Sequence, residues 1–357
     1  MSNSGPSAQV LSGAISSTAE VSCPDWAHLL PRSSADPLAM AFLGSLEVRG
    51  LSRNTLLAYG RAVESLIEFA GPLGAFRLDI TSVYRFLAHL KRTPSCHRGA
   101  DGGHLAVATV RQRIVGLRSY ADYLMDCGLL ERNPVARGSI WRTVTGDVLA
   151  VRRGLMPSAC RLPRLPSDEQ WTRLLAALQP RPVRDRLMFM LAYDGALRRN
   201  ELVTLRLDDF DFSARQIKIR GEHAKGGYQR VVVYSPATSA TLRSYLPERR
   251  KLEPDSPFLF LSGSPRNRAK PVGGYTWGLV AAALAREAEV PGFSTHALRH
   301  LRLTDLARAG LDITEIANFA GHRSTESTMR YIHLSGRDLA RAFDRAARVM
   351  VQRFGQP

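Results

Sequence analysis

A chain of 357 residues with 45% apolar content is long enough for two ordinary domains, each with its own core. No apolar run approaches membrane length, and the opening MSNSGPSAQVLSGAISSTAE lacks the basic start and apolar stretch of a secretion signal, which argues against a membrane or secreted protein. The 49 Lys+Arg against 32 Asp+Glu leave a net charge of +17 spread along the chain, which reads either as the mark of a polyanionic partner, since each neutralised phosphate releases counterions, or as the bias of an arginine-rich proteome.

Residues 1–36 are rich in Ser, Ala and Pro without periodicity and are expected to be disordered. From 37 to 135 the apolar positions recur three and four apart, so the pattern predicts a small helical bundle. Its helices are PLAMAFLGSLEVRG up to Gly50, a second from the capping Ser52 to Gly71, DITSVYRFLAHLKR, and the longer AVATVRQRIVGLRSYADYLMDCG. Arg53, Arg61, Arg111, Arg113 and Arg118 lie off the apolar stripes; they read either as a solvated face or as DNA contacts. The stretch NPVARGSIWRTVTGDVLAVRRGLMPSACRLPRLP has little period and reads as an interdomain linker over 136–166.

A second domain is expected over 167–357, opening at SDEQWTRLLAAL, where Ser167 and Gln170 have capping-box spacing. Helices over 183–194 and 199–206 precede QIKIR and RVVVY, two β-like runs around GEHAKGG that predict a hairpin. Helical patterning then resumes, broken at SGSPRNRAKPVGG and VPGFS. Residues 338–354 carry Leu339, Phe343, Ala347, Met350 and Phe354 on one helical face. The fold class is therefore mainly α with a small β-sheet. Cys23, Cys96, Cys127 and Cys160 stand far apart and read as reduced thiols of a cytoplasmic protein.

Four segments of the second domain carry candidate chemistry. Arg198 precedes Glu201 by three on a helix, Lys225 lies at the hairpin turn, His296 and Arg299 are one helical turn apart, and Tyr331 follows His322 by nine. Taken singly, each has a plain reading: a surface ion pair, a turn lysine, a core tyrosine. His296 and His300 have the spacing of a zinc-binding helix, but Arg299 replaces the glutamate of such motifs, and a cation beside the site opposes a dication.

Taken in order, GALRRNEL, KGGYQR, HALR, GH and the tyrosine nine residues on resemble the tyrosine recombinase (phage integrase) family over about 167–331. FLGSLEVRGLSRNTLLAYGRAVESLIEFAG and ERNPV are similar to that family's helical core-binding domain and its exit. The resemblance implies an N-terminal SAM-like DNA-binding domain followed by a mixed α/β catalytic domain. It also implies Arg198, Lys225, His296, Arg299, His322 and Tyr331 as catalytic residues, with Glu201 orienting Arg198. NFAGH departs from the usual leucines before the Gly-His pair, and Arg302 stands where an apolar residue is more usual.

The chemistry fits these residue types. A DNA phosphodiester repels nucleophiles, and a route without metal ions needs fixed cations on its nonbridging oxygens. Arginine suits that task because it stays charged and presents a fork of donors. Only five of the 49 basic residues are lysines, and lysine can release a proton to a leaving oxygen where arginine cannot. By resemblance Lys225 is that acid, and Tyr331 is the nucleophile that leaves a 3′-phosphotyrosine. No cofactor or metal is implied. The partners implied are double-stranded DNA sites, further copies of the chain in a tetramer that exchanges the helix over 338–354, and accessory or directionality proteins.

Integration or excision, transposition and dimer resolution all remain open as the biological task. A type IB topoisomerase-like enzyme shares the nicking chemistry, and a non-catalytic DNA-binding accessory shares the scaffold. The order and spacing of the boxes favour the recombinase over the first. The presence of all six residue types favours it over the second.

Overall fold

The computed structural model describes residues 24–73, 77–95, 103–135, 137, 139–142, 148–152, 155–156, 164–223, 229–322 and 328–329. The chain divides into two compact units, Met1–Ala159 and Cys160–Pro357. Among the described residues no helix is long and apolar enough to cross a membrane.

The first unit is a bundle of α1 (Pro31–Ala35), α2 (Pro37–Val48), α3 (Arg53–Ala70), α4 (Ile80–Arg92) and α5 (Val107–Asp126). The capping Ser52 accepts from the Thr55 amide, and α3 stops at Gly71, as its sequence predicts. Asp79 and Ser82 cap each other's backbone at the start of α4. The apolar faces meet in a core that includes Phe42, Leu43, Leu46, Leu66, Phe86 and Leu90, with the rings of Phe42 and Tyr120 edge to face at 5.4 Å. Gly116 lets α5 lie directly on α3, because a Cβ there would fall 2.5 Å from the Ala62 Cβ.

The expectation of disorder up to residue 36 does not hold from 24 onward. Trp26, Ala27 and Leu30 are buried in the bundle core, and Asp36 accepts hydrogen bonds from the amides of Ala39 (3.0 Å) and Leu73 (2.8 Å). Two large apolar side chains and one buried carboxylate tie down a segment whose average composition is that of a loose tail. Residues 1–23 lie outside the described ones. A second difference falls in the stretch read as a linker, where β1 (Ser139–Arg142) pairs antiparallel with β2 (Val148–Arg152).

The second unit contains α6 (Asp168–Leu178), α7 (Val183–Asp194), α8 (Arg199–Val203), β3 (Phe210–Asp211), β4 (Gln216–Ile219), β5 (Arg230–Val233), α9 (Pro236–Leu252), α10 (Gly274–Glu287), α11 (Thr295–Arg308) and α12 (Ile313–Ala320). Ser167 and Gln170 form the expected capping box. Helix α7 is buried along most of its length, and Asp194 at its end accepts from the Ser235 amide (2.8 Å) and the Thr238 hydroxyl (2.6 Å) at the start of α9. The strands form one antiparallel sheet in the order β3-β4-β5, with Ile217 opposite Val232 and Ile219 opposite Arg230. Ile217 and Ile219 face the core while Gln216 and Lys218 face out, the alternation of a half-buried strand. The expected hairpin is therefore present, and the helix expected over 199–206 is shorter, ending at Val203. The fold is mainly helical with one small sheet, as the sequence indicated.

Candidate active site

Arg198, Arg299 and His322 meet at the C-terminal end of α12. A helix leaves its last carbonyls without intrahelical partners and carries partial negative charge there. Three arginines from three different elements use consecutive carbonyls of this end. Arg230, at the start of β5, donates Nε to the Phe319 carbonyl at 2.9 Å. Arg299, in α11, donates Nη2 to the Ala320 carbonyl at 2.6 Å. Arg198, at the N-cap of α8, donates Nη2 to the Gly321 carbonyl at 3.0 Å.

Gly321 makes the turn possible. It sits in the left-handed region at φ 63°, where a side chain is strained, and a Cβ there would lie 3.1 Å from Arg230 Cδ. The turn directs the next residue, His322, toward Arg299. Arg299 Nη2 lies 3.1 Å from His322 Nε2, and His322 Nδ1 lies 2.8 Å from the Thr328 hydroxyl. A guanidinium can only donate, so Nε2 accepts and the imidazole carries its proton on Nδ1, given to Thr328.

Arg299 is 2% exposed, and its Nη1 donates to the Ala196 carbonyl at 2.5 Å. Ala196 has a φ of 46°, rare for a residue with a Cβ, which turns that carbonyl toward the guanidinium. Neutral carbonyls orient the ion without subtracting from its charge.

Arg198 is oriented instead by a carboxylate. Its Nη1 donates to Glu201 Oε1 at 2.7 Å and its backbone amide to Oε2 at 2.8 Å, while its side chain keeps 18% exposure. Burial pushes the Glu201 carboxyl up, but the hydrogen bonds and charges of Arg230 and Arg198 outweigh it and hold the pKa at about 2. The predicted Arg198–Glu201 pair is thus a buried anchor and not a surface pair.

His296 lies in the first turn of α11 and is an exposed residue. Partial burial of the ring and then the charges of Arg299, Arg198 and Arg199 lower its pKa below that of a free imidazole. Its ring meets that of His300 edge-on at 5.1 Å. Among the described residues no group of three or more His, Cys, Asp or Glu is placed to hold a metal ion. Arg302, the departure noted in this helix, lies over the Tyr193 ring at 5.3 Å, while the Tyr193 hydroxyl donates to Asp305 at 2.8 Å.

Lys225, Tyr331 and the helix expected over 338–354 lie outside the described residues. Of the candidate DNA contacts in the first unit, Arg53 is exposed and pairs with Asp25 at 3.4 Å. Arg111, Arg113 and Arg118 are half-buried along α5, and Arg118 donates Nε to the Val135 carbonyl at 3.3 Å. Two residues of the site are not singled out as candidates by the sequence. Thr328 stands in the hydroxyl-rich run after the Gly-His pair without distinction from its neighbours, and Arg230 ends the KGGYQR box as one more arginine in an arginine-rich chain.

The Phage integrase family model matches residues 165–337, and the model of the phage integrase N-terminal SAM-like domain matches 40–128. Tyrosine recombinase XerD of Caulobacter vibrioides is 30% identical over 322 residues, covering 86% of this chain and 95% of that protein. The chain belongs to the phage integrase family. It is a tyrosine recombinase, a site-specific DNA recombinase of the class that works through a 3′-phosphotyrosine intermediate. Tyrosine recombinase XerA of Pyrococcus furiosus is 29% identical over 305 residues, covering 85% of this recombinase and 92% of XerA. The fold matches solved structures too. The Tn1549 transposon integrase in complex with transposon right end DNA aligns with a TM-score of 0.60 at 19% identity, over 89% of this chain and 99% of that one. XerH bound to its palindromic difH substrate aligns with a TM-score of 0.60 at 17% identity, over 94% and 93%.

Proposed function

We propose that this recombinase cleaves DNA by in-line attack of the Tyr331 phenolate on a backbone phosphorus. The bond from Tyr331 Oη to phosphorus forms as the bond to the deoxyribose O5′ breaks, and Lys225 protonates the departing oxygen. Arg198 and Arg299 clamp the nonbridging oxygens, where charge grows in the transition state, and Glu201 holds Arg198 in place. His322 keeps Arg299 in register, and His296 offers a hydrogen bond to the growing charge. The phosphotyrosine ester conserves bond energy, so a 5′ hydroxyl from another strand reverses the step without ATP.

The observation that carries this reading is the convergence of Arg198 and Arg299, from separate helices, on adjacent carbonyls of one helix end beside His322. Exchange between two duplexes needs four such sites. The working form in this reading is a tetramer on two double-stranded DNA sites in the cytoplasm, with residues 338–354 as the exchanged helix. Accessory or directionality proteins complete the set of partners. Similarity to XerD and XerA over most of the chain supports an Xer-like task over a transposon-type one.

The test pairs the protein with a candidate site carrying a nick, so that cleavage traps a covalent adduct resistant to SDS. The wild type forms the adduct and Tyr331→Phe does not. Two sites on one plasmid then recombine; relaxation without exchange would overturn the recombinase assignment in favour of a topoisomerase.

A further inference from the structure

We propose that Arg230 is a positioning residue for strand cleavage, tying the carboxylate that orients Arg198 to the helix end that carries His322. This rests on the strand-transfer reading above and names a residue to which that reading gives no role.

Arg230 uses all three guanidinium nitrogens inside the protein. Nη1 and Nη2 donate to the two oxygens of Glu201 at 3.0 and 2.7 Å, and Nε donates to the Phe319 carbonyl at 2.9 Å. Its side chain is only 6% exposed, so it acts through other residues and not on DNA. Lysine could supply the charge but not these three bonds in one plane.

The charge balance shows what Arg230 contributes. Glu201 is buried between two guanidiniums, Arg198 at 2.7 Å and Arg230 at 2.7 Å. One carboxylate shared by two cations leaves the group with a net positive charge, which the partly exposed Arg198 can direct to a phosphate. Without Arg230 the same carboxylate would neutralise Arg198 alone. Glu201 would also lose the partner that contributes most to keeping it ionised.

The geometry gives a second link. Phe319, Ala320 and Gly321 offer their carbonyls to Arg230, Arg299 and Arg198 in turn, so releasing the first loosens the peptide planes that aim the other two. Arg230 is also the first residue of the strand that leaves the segment bearing Lys225. Two segments of the proposed chemistry are thus keyed to one side chain.

The experiment measures adduct formation on the nicked site, and DNA affinity, for wild type, Arg230→Gln, Arg230→Lys, Glu201→Gln and the Glu201→Gln/Arg230→Gln double variant. Arg230→Gln is expected to bind DNA within about twofold of wild type and to form adduct at least about tenfold more slowly. The double variant is expected to be slower than the worse single by no more than about twofold, because both act through one unit. As pH falls, Arg230→Gln is expected to lose rate more steeply than the wild type, an excess that the double variant lacks, because Glu201 without Arg230 loses the partner that contributes most to keeping it ionised.

A wild-type rate in a folded Arg230→Gln, independent losses that multiply in the double variant, or a loss confined to DNA affinity would each overturn the proposal. If thermal melting shows Arg230→Gln unfolded, Arg230→Lys decides, with slower adduct formation at wild-type affinity upholding the proposal and a wild-type rate ending it. Absence of any adduct from the wild type would defeat the strand-transfer reading and this proposal with it. A wild-type adduct with unaffected variants would defeat this proposal alone.

Discussion

Arg249 and Arg299 are both buried arginines of the second unit, at 1% and 2% exposure. Arg249 donates to the carbonyls of Phe258, Glu253 and Ser256, all near it in sequence, and pins one loop. Arg299 reaches the Ala196 and Ala320 carbonyls and His322, which brings separate segments to one place. Burial alone therefore does not mark a working arginine; the acceptors do. Thr328→Val keeps shape and removes the acceptor of His322 Nδ1–H, so the imidazole can change tautomer and its hold on Arg299 weakens. A net hydrogen bond of about 1 kcal/mol corresponds to adduct formation about fivefold slower, at unchanged DNA affinity, in single-turnover assays. Glu201 supplies a second test. Its carboxyl falls from 4.5 to about 2 on folding, so it stabilises the folded unit above pH 4.5 and that contribution is lost as pH falls toward 2. Urea unfolding across this window should show a loss of about 3 kcal/mol that Glu201→Gln does not.

Helix α12 shows how an element's end becomes part of a site. Asp312 caps its start, accepting from the amides of Thr314 and Glu315, and Gly321 ends it in the left-handed region. Gly321→Ala places a Cβ against Arg230 and strains the backbone, at a cost of about 1–2 kcal/mol in unfolding measurements. Slower adduct formation should accompany it, since the Arg198 and Arg299 acceptors shift together. In the first unit the elements read from periodicity, Ser52 and Gly71 formed as expected, because capping and amphipathicity are local properties. The order of residues 24–36 escapes a reading by composition because Trp26 and Leu30 are buried only by a bundle that their own neighbours do not reveal. Leu30→Ala should cost about 2–5 kcal/mol, a loss that a disordered tail could not produce. The β1–β2 ribbon was hidden in the same way, its strands short and set among prolines and glycines.

At the scale of the whole molecule, the +17 charge predicts affinity governed by phosphate contacts. DNA binding should weaken by roughly 10³-fold or more between 50 and 200 mM salt if six or more phosphates are neutralised, as titrations at several ionic strengths would show. Adduct formation should persist at full rate in excess chelator, because guanidinium and imidazole groups are assigned the stabilisation of charge.

The order and types of the boxes were legible in the sequence by themselves, and with them the family, the fold class and the identity of Arg198, Glu201, His296, Arg299 and His322 as site candidates. Each such side chain is ordinary alone, and it is their order and spacing, which the sequence carries, that mark them. Only the tertiary structure decided what holds them: Thr328 behind His322, Arg230 behind Glu201, and three carbonyls at the end of α12. A backbone carbonyl is the same group at every position, and it becomes an anchor only when folding ends a helix against the arginines of three other elements.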